Sequence, residues 1–431
     1  MNRTTKNERM NKLKFLMNRC ALLVFLGTMS SLSLAQSDSA MHALYPYVSF
    51  EKNHFTGVEN SSSFDRYYMN FDRMMRYGIG QQSIIHFGGS HIQADIWSNL
   101  LRERLQNIDT NIQGGRGIVF PFKAAGTNRP YSYSVKETGS WEGHRSSYSK
   151  HNNTWGVSGI TATTKGADVS LRFTFHESIT PVKTRNAILF TNIEETDYKL
   201  DVDVGDSTIF VHTFSLGNGY QRLEFSQEVD SITLRFTKPA SSNSELKFYG
   251  MVLNNGNPGV VYNSIGVNGS RFVSFQRCEL FQEQLNYLKP DLVIMSIGTN
   301  DSSEPGYDSS EYKANFKAFL DQVRIANPNC AIMLTVPNDN YVRKKYHNDN
   351  LESVRSVIYE LAIEYDAKVW DLYGIMGGAG SAKTWMNAGM MKTDLVHFTK
   401  EGYLLKGDLF YRAFLDDYLK WYSEQEPIWT E

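Results

Sequence analysis

Three short apolar runs without polar alternation, residues 291–297, 330–336 and 367–372, constrain this chain more than anything else in it. A strand that is apolar on both faces must be covered on both. Helical patterns lie between these runs, over 310–326, closed by Asn327-Pro328, and over 350–365. The expected fold class is therefore α/β, a parallel sheet between two layers of helices. Residues 270–288 read as a further helix and 399–422 as the last one. Tyr67, Tyr68, Phe71 and Met74 recur at helical spacing over 64–77, which predicts an amphipathic helix packed on the core.

Between about 127 and 254 the pattern changes. Val169-Ser170-Leu171-Arg172-Phe173-Thr174-Phe175 alternates strictly, as do residues 200–204 and 232–236, with Gly, Asn, Ser and Asp between such runs. About eight strands of this kind predict an antiparallel, jelly-roll-like β-sandwich inserted into the α/β domain. The expected organisation is a leader over 1–35, the α/β domain over 40–126 and 255–431, and the insert over 127–254. Tyr131, Tyr133, Trp141, Tyr148 and Trp155 have rings suited either to stacking on sugars or to packing, and packing is the commoner use.

The leader is read from Lys12, Lys14 and Arg19 ahead of the apolar run 21–27, with Ser33 and Ala35 at the positions a signal peptidase needs. This predicts export with cleavage after Ala35, into the periplasm or the medium. The run is too short and too quickly diluted to span a bilayer, and no other run approaches bilayer length, so no stable membrane insertion is expected after cleavage. Losing residues 1–35 removes six Lys or Arg and one Glu, taking the formal charge from −2 to −7. That balance excludes a nucleic-acid partner held by charge. Cys278 and Cys330 fit one disulfide or two buried thiols equally well.

Chemistry is concentrated in three places. Residues 83–88 form an apolar strand that runs through Gly88-Gly89 into Ser90 and a helical pattern ending near Asn107. A serine there stands at the carboxyl end of a strand with a helix dipole beside its hydroxyl, as a nucleophile would. An ordinary capping turn has the same sequence, and this window alone does not separate the two. Residues 291–297 lead to Gly298-Thr299-Asn300-Asp301, where the Asn300 amide is either a donor to a developing oxyanion or a turn amide. Asp394 precedes His397 by three residues, so it can hold Nδ1–H while Nε2 faces a serine. No further His or Cys cluster supplies metal ligands beside this pair, and no cofactor is expected. Gly114-Gly115-Arg116-Gly117 lacks the lysine and following helix of a phosphate loop and reads as a plain loop.

Taken together, Gly88-Gly89-Ser90-His91-Ile92-Gln93-Ala94-Asp95, Gly266-Val267-Asn268-Gly269, Gly298-Thr299-Asn300-Asp301 and Asp394-Leu395-Val396-His397 resemble the four ordered blocks of the SGNH, or GDSL-like, hydrolases. The insert between the first and second blocks, with the Ser-His-Ile-Gln-Ala-Asp run, is similar to the periplasmic peptidoglycan O-acetylesterases, which carry a carbohydrate-binding-module-like insert there. The resemblance implies a flavodoxin-like three-layer α/β/α fold, with Ser90 as nucleophile, His397 as general base and Asp394 as its orienting carboxylate. Gly269 N–H, Asn300 and Ser90 N–H would form the oxyanion hole. It implies an acetylated glycan, above all peptidoglycan, as the substrate. Esterase action on other glycans, O-acetyl transfer to a sugar, and glycan binding without catalysis are the alternatives. The chain departs from the family where Gly89 stands in place of the aspartate of Gly-Asp-Ser.

Overall fold

The apolar runs become strands of a six-stranded central sheet in a computed structural model that describes residues 40–109, 112–176 and 181–425. The expected leader, 1–35, lies outside the described residues. Residues 1–50 and 51–431 form two units. The first is described over 40–50, where the rings of His42 and Phe50 lie 4.5 Å apart. The second carries the sheets, the helices and the cleft.

In chain order the central strands are β1 (Phe55–Gly57), β2 (Gln81–Gly88), β3 (Gly259–Gly266), β4 (Leu292–Ser296), β5 (Ala331–Val336) and β6 (Lys368–Asp371). Across the sheet the order is β1-β6-β5-β4-β2-β3, with β1 antiparallel at one edge and the other five parallel. The parallel strands follow the flavodoxin-like order, which reverses direction between β2 and β4. A crevice opens beyond the carboxyl ends of those two strands.

Side chains alternate along each strand, so Ile85, Phe87, Val293 and Met295 belong to one core with the helices Phe281–Leu288, Ser309–Ala326 and Leu351–Glu364. On the other face lie Ser62–Tyr77, Trp97–Gln106 and Lys400–Glu424, whose Phe71 and Phe414 rings meet edge to face at 5.6 Å. Among the described residues no helix is long and apolar enough to cross a membrane.

Several elements differ from the sequence expectation. Periodicity assigns nothing between 254 and 270, yet β3 lies there, paired with β2 along its whole length. The single helix expected over 270–288 is two, Phe272–Gln276 and Phe281–Leu288. It breaks because the Leu280 amide is taken by the Trp155 carbonyl and the Arg277 guanidinium turns away to bond the carbonyls of Ser146, Tyr148 and His151. The helix expected from Ser90 to Asn107 also divides, into Ser90–Gln93 and Trp97–Gln106, around Asp95 at φ 51°. The buried Asp95 carboxylate binds Arg116, Ser132 and Ser98, and those tertiary bonds override the local helix.

Residues 133–254 form ten antiparallel strands where eight were expected. Tyr133–Thr138, Asp168–Phe175, Ser231–Thr237 and Lys199–Asp203 make a four-stranded sheet. The other six join a seven-stranded sheet whose remaining strand, Gly117–Val119, precedes residue 127 and pairs with Leu246–Asn254. Alternate residues of the two sheets, among them Leu171, Phe173, Leu234, Leu189 and Phe248, share one core. Tyr133 and Trp155 are buried packing residues, whereas Tyr131 and Tyr148 are about half exposed. Cys278 and Cys330 are both buried free thiols.

Candidate active site

Strand β2 ends where the backbone must turn at once into the helix Ser90–Gln93, which packs on the end of β3. Gly266 permits this, since a Cβ there would stand 2.0 Å from the Gln93 backbone nitrogen. Ser90 thus comes to the carboxyl edge of the sheet. Its Oγ lies 2.7 Å from Nε2 of His397, and Nδ1 of His397 lies 2.9 Å from Oδ2 of Asp394. A short turn with Leu395 at φ 57° brings Asp394 back under the imidazole. The other carboxylate oxygen accepts the backbone N–H of Val396 and of His397, each at 2.9 Å. Burial alone would raise the Asp394 carboxyl, but those two amides and the imidazole outweigh it and hold it below its ordinary value.

Ser90, His397, Gly269 and Asn300 line one cleft of about 900 Å³ at the crevice beyond β2 and β4, with Asp394 behind His397. The Asn300 amide nitrogen donates to the Ser270 carbonyl at 3.0 Å, which uses one of its two protons. Among the described residues no hydrogen bond leaves the backbone N–H of Ser90 or of Gly269. Gly89 has φ −90° and ψ −139°, between the extended and helical regions that side-chain-bearing residues favour. A Cβ there would stand 3.3 Å from the Asn300 amide nitrogen, so the departure from Gly-Asp-Ser leaves that amide uncrowded.

The sequence pattern gives Gln93 and His91 no part in the site beyond their place in the run after Ser90. Gln93 is buried, and its Oε1 accepts the Asn268 N–H at 2.8 Å. Its Nε2 donates to the Asn128 carbonyl at 2.8 Å and to Thr127 Oγ1 at 3.0 Å. One amide therefore ties the Gly269 loop to the loop 127–131. A glutamine at the fourth position of a short helix carries no local mark of this, because its partners lie far away in sequence. The His91 ring stacks on that of His397, centroids 5.2 Å apart. Burial, then the nearby Lys406, His397 and Lys392, keep His91 well below its ordinary value, so it packs as a neutral ring. Lys406 lies at the base of the cleft 4.1 Å from the Trp97 ring centre, and burial pushes it down to about 7. Arg116, read as part of a plain loop, proves to be the buried partner of Asp95 at 2.5 Å.

The family model for GDSL-like lipases and acylhydrolases matches residues 230–405. That span takes in Gly269, Asn300, Asp394 and His397 and leaves out Ser90, which the antiparallel strands separate from the rest of the site. Among solved structures, a peptidoglycan O-acetylesterase superposes with TM-score 0.69 at 21% identity, over 85% of this chain and 99% of that one. An acetyl xylan esterase gives TM-score 0.28 at 16% identity, over 34% of this chain and 78% of that one. An acetylxylan esterase from Geobacillus stearothermophilus gives 0.29 at 18%, over 37% and 73%. No curated protein sequence matches the chain.

Proposed function

We propose that this chain is a carboxylic ester hydrolase that removes O-acetyl groups from a carbohydrate polymer outside the cytoplasm, a reading supported by the match of residues 230–405 to the family model for GDSL-like lipases and acylhydrolases. Peptidoglycan is the first substrate to try, because a solved structure sharing the fold over 85% of the chain is a peptidoglycan O-acetylesterase. Other acetylated glycans come second. Export rests on the leader read in residues 1–35.

The observation that carries the reading is the line from Ser90 Oγ through both nitrogens of His397 to Asp394, with contacts of 2.7 and 2.9 Å. Ser90 Oγ attacks the acetyl carbonyl while its proton passes to Nε2, and Asp394 steadies the imidazolium through Nδ1–H. The tetrahedral oxyanion faces Ser90 N–H, Gly269 N–H and the Asn300 amide. Collapse expels the sugar oxygen, which takes the proton from His397. Water, deprotonated by the same imidazole, then releases acetate from the acetyl-enzyme.

The test is acetate release by Ser90→Ala, His397→Ala and the double variant. Each single change should lower turnover by about three or more orders of magnitude, and the double variant should be little worse, because the groups act as a unit. Asn300→Ala should cost less, roughly 10²- to 10³-fold, since two backbone donors remain. Near wild-type acetate release by Ser90→Ala would refute the assignment. Release of the acetyl group onto a second sugar instead of into water would make the enzyme a transferase.

A further inference from the structure

We propose that the cleft selects acetylated glycans that carry a carboxylate close to the ester, an inference that deepens the proposed deacetylation and rests on it. Three exposed cations, Arg129, Lys392 and Lys400, line the cleft with Ser90 and His397, and the buried Lys406 lies at its base. Among the described residues no Asp or Glu lines it. The sign runs against that of the whole chain, which has 46 Asp and Glu against 44 Lys and Arg.

Elsewhere on the surface cations find carboxylates, as Lys317 does with Glu364 at 2.7 Å and Arg104 with Asp408 at 3.0 Å. Arg129, Lys392 and Lys400 make no ion pair among the described residues. Like charges gathered around one cleft repel each other, and the low-dielectric walls focus their field on whatever enters. A neutral acetylated sugar gains nothing from that field, whereas a carboxylate relieves it.

The cations are also held in place. The loop 127–131 that carries Arg129 is fixed by Gln93 and by the Tyr131 N–H, which bonds the Ala94 carbonyl at 2.9 Å. Lys400 sits 4.6 Å from the Tyr131 ring centre. The Lys392 amide donates to the His397 carbonyl at 2.8 Å, which anchors that cation's backbone to the residue beside the serine. The charges come from three separate segments, an arrangement suited to single carboxylates spaced along a polymer. The carboxylate has two sources, a uronic acid ring or the lactyl ether and stem peptide of peptidoglycan.

The experiment compares kcat/KM for acetate release from acetylated polygalacturonate, acetylated peptidoglycan and neutral acetylated xylan, at about 25 mM and about 300 mM salt. At least one acidic polymer should lead xylan by about tenfold at low salt, through KM, and most of that lead should vanish at high salt. Which acidic polymer leads identifies the source of the carboxylate. The variant Arg129→Gln, Lys392→Gln, Lys400→Gln should bring the ratio of acidic to neutral substrate close to one. Calorimetric binding of the same polymers to the Ser90→Ala protein reads the preference without turnover. Equal, salt-independent kcat/KM on all three polymers, or a preference that survives in the triple variant, would overturn the inference and leave deacetylation standing. Preferential binding of an acidic polymer with no acetate released by the wild-type protein would uphold the inference and sink the proposed reaction.

Discussion

Asp301 stands one residue past Asn300 and is almost fully covered, with one carboxylate oxygen accepting the Phe272 N–H at 3.1 Å and the other without a partner. Burial pushes its carboxyl up to about 7. A proton is therefore kept in the folded protein that the unfolded chain gives up near its ordinary value of 3.8. The sign follows from linkage: the stability this proton supports is fully present below about pH 4 and is lost as pH rises through about 7. Asp301→Asn keeps the acceptor for Phe272 and carries no charge at any pH. Its thermal midpoint should exceed that of the wild type increasingly from pH 5 to pH 8, by roughly 1–3 kcal/mol of stability in total. A gain that stayed constant with pH would show that Asp301 does not titrate in this window. At this scale the sequence exposed Ser90, Asn300, Asp394 and His397 because each sits at a strand end or in a short local motif. Asp301 and Lys406 have unusual surroundings that depend on burial, and no local pattern encodes burial.

Between elements, what matters is how loops are fastened to the sheet edge. The sequence displayed the parallel strands because each is a continuous apolar run, and it displayed the helices through their periodicity. It concealed the two helix breaks, since Arg277 and Asp95 find their partners more than twenty residues away or across the fold. Gln93 shows the consequence for the site, because it joins the Gly269 loop to the loop of Arg129, beside the direct bond from the Asn268 side-chain amide to Thr127 Oγ1 at 3.2 Å. Gln93→Ala should lower acetate release from a small neutral ester by about 10- to 100-fold, equivalent to roughly 1.4–2.8 kcal/mol of barrier. Gln93→Glu keeps the acceptor for Asn268 N–H but cannot donate to the Asn128 carbonyl. It should recover most of that loss if the Gly269 loop is what counts, and a Glu variant as slow as the Ala variant would place the effect in loop 127–131 instead. Circular dichroism of both variants should match that of the wild type.

Across the whole molecule, the two textures of the sequence correspond to two kinds of sheet, parallel and antiparallel, and that division was legible. Their continuity was not, because it depends on packing between distant segments. Trp155, Val157, Phe190 and Tyr220 from the antiparallel part belong to the same buried cluster as Phe275, Phe281 and Leu285 from the helices. Gln284, fully buried on the helix Phe281–Leu288, accepts the Val157 N–H at 3.0 Å and donates to the Tyr220 hydroxyl at 3.1 Å. Strand Gly117–Val119 also joins the two, since Ile118 lies in one core and Val119 in the other. A core shared in this way leaves neither part able to expose its inner surface without cost to the other. Residues 51–431 should therefore unfold in a single calorimetric transition, with calorimetric and van't Hoff enthalpies in agreement. Gln284→Ala strands a buried amide and a hydroxyl at the junction and should cost about 2–4 kcal/mol. Because both parts meet there, the change should move the whole curve to lower temperature without splitting it. Two resolved transitions in the wild-type protein, or a variant in which only one portion of the heat absorption moves, would mean that the antiparallel sheets fold as an independent insert after all.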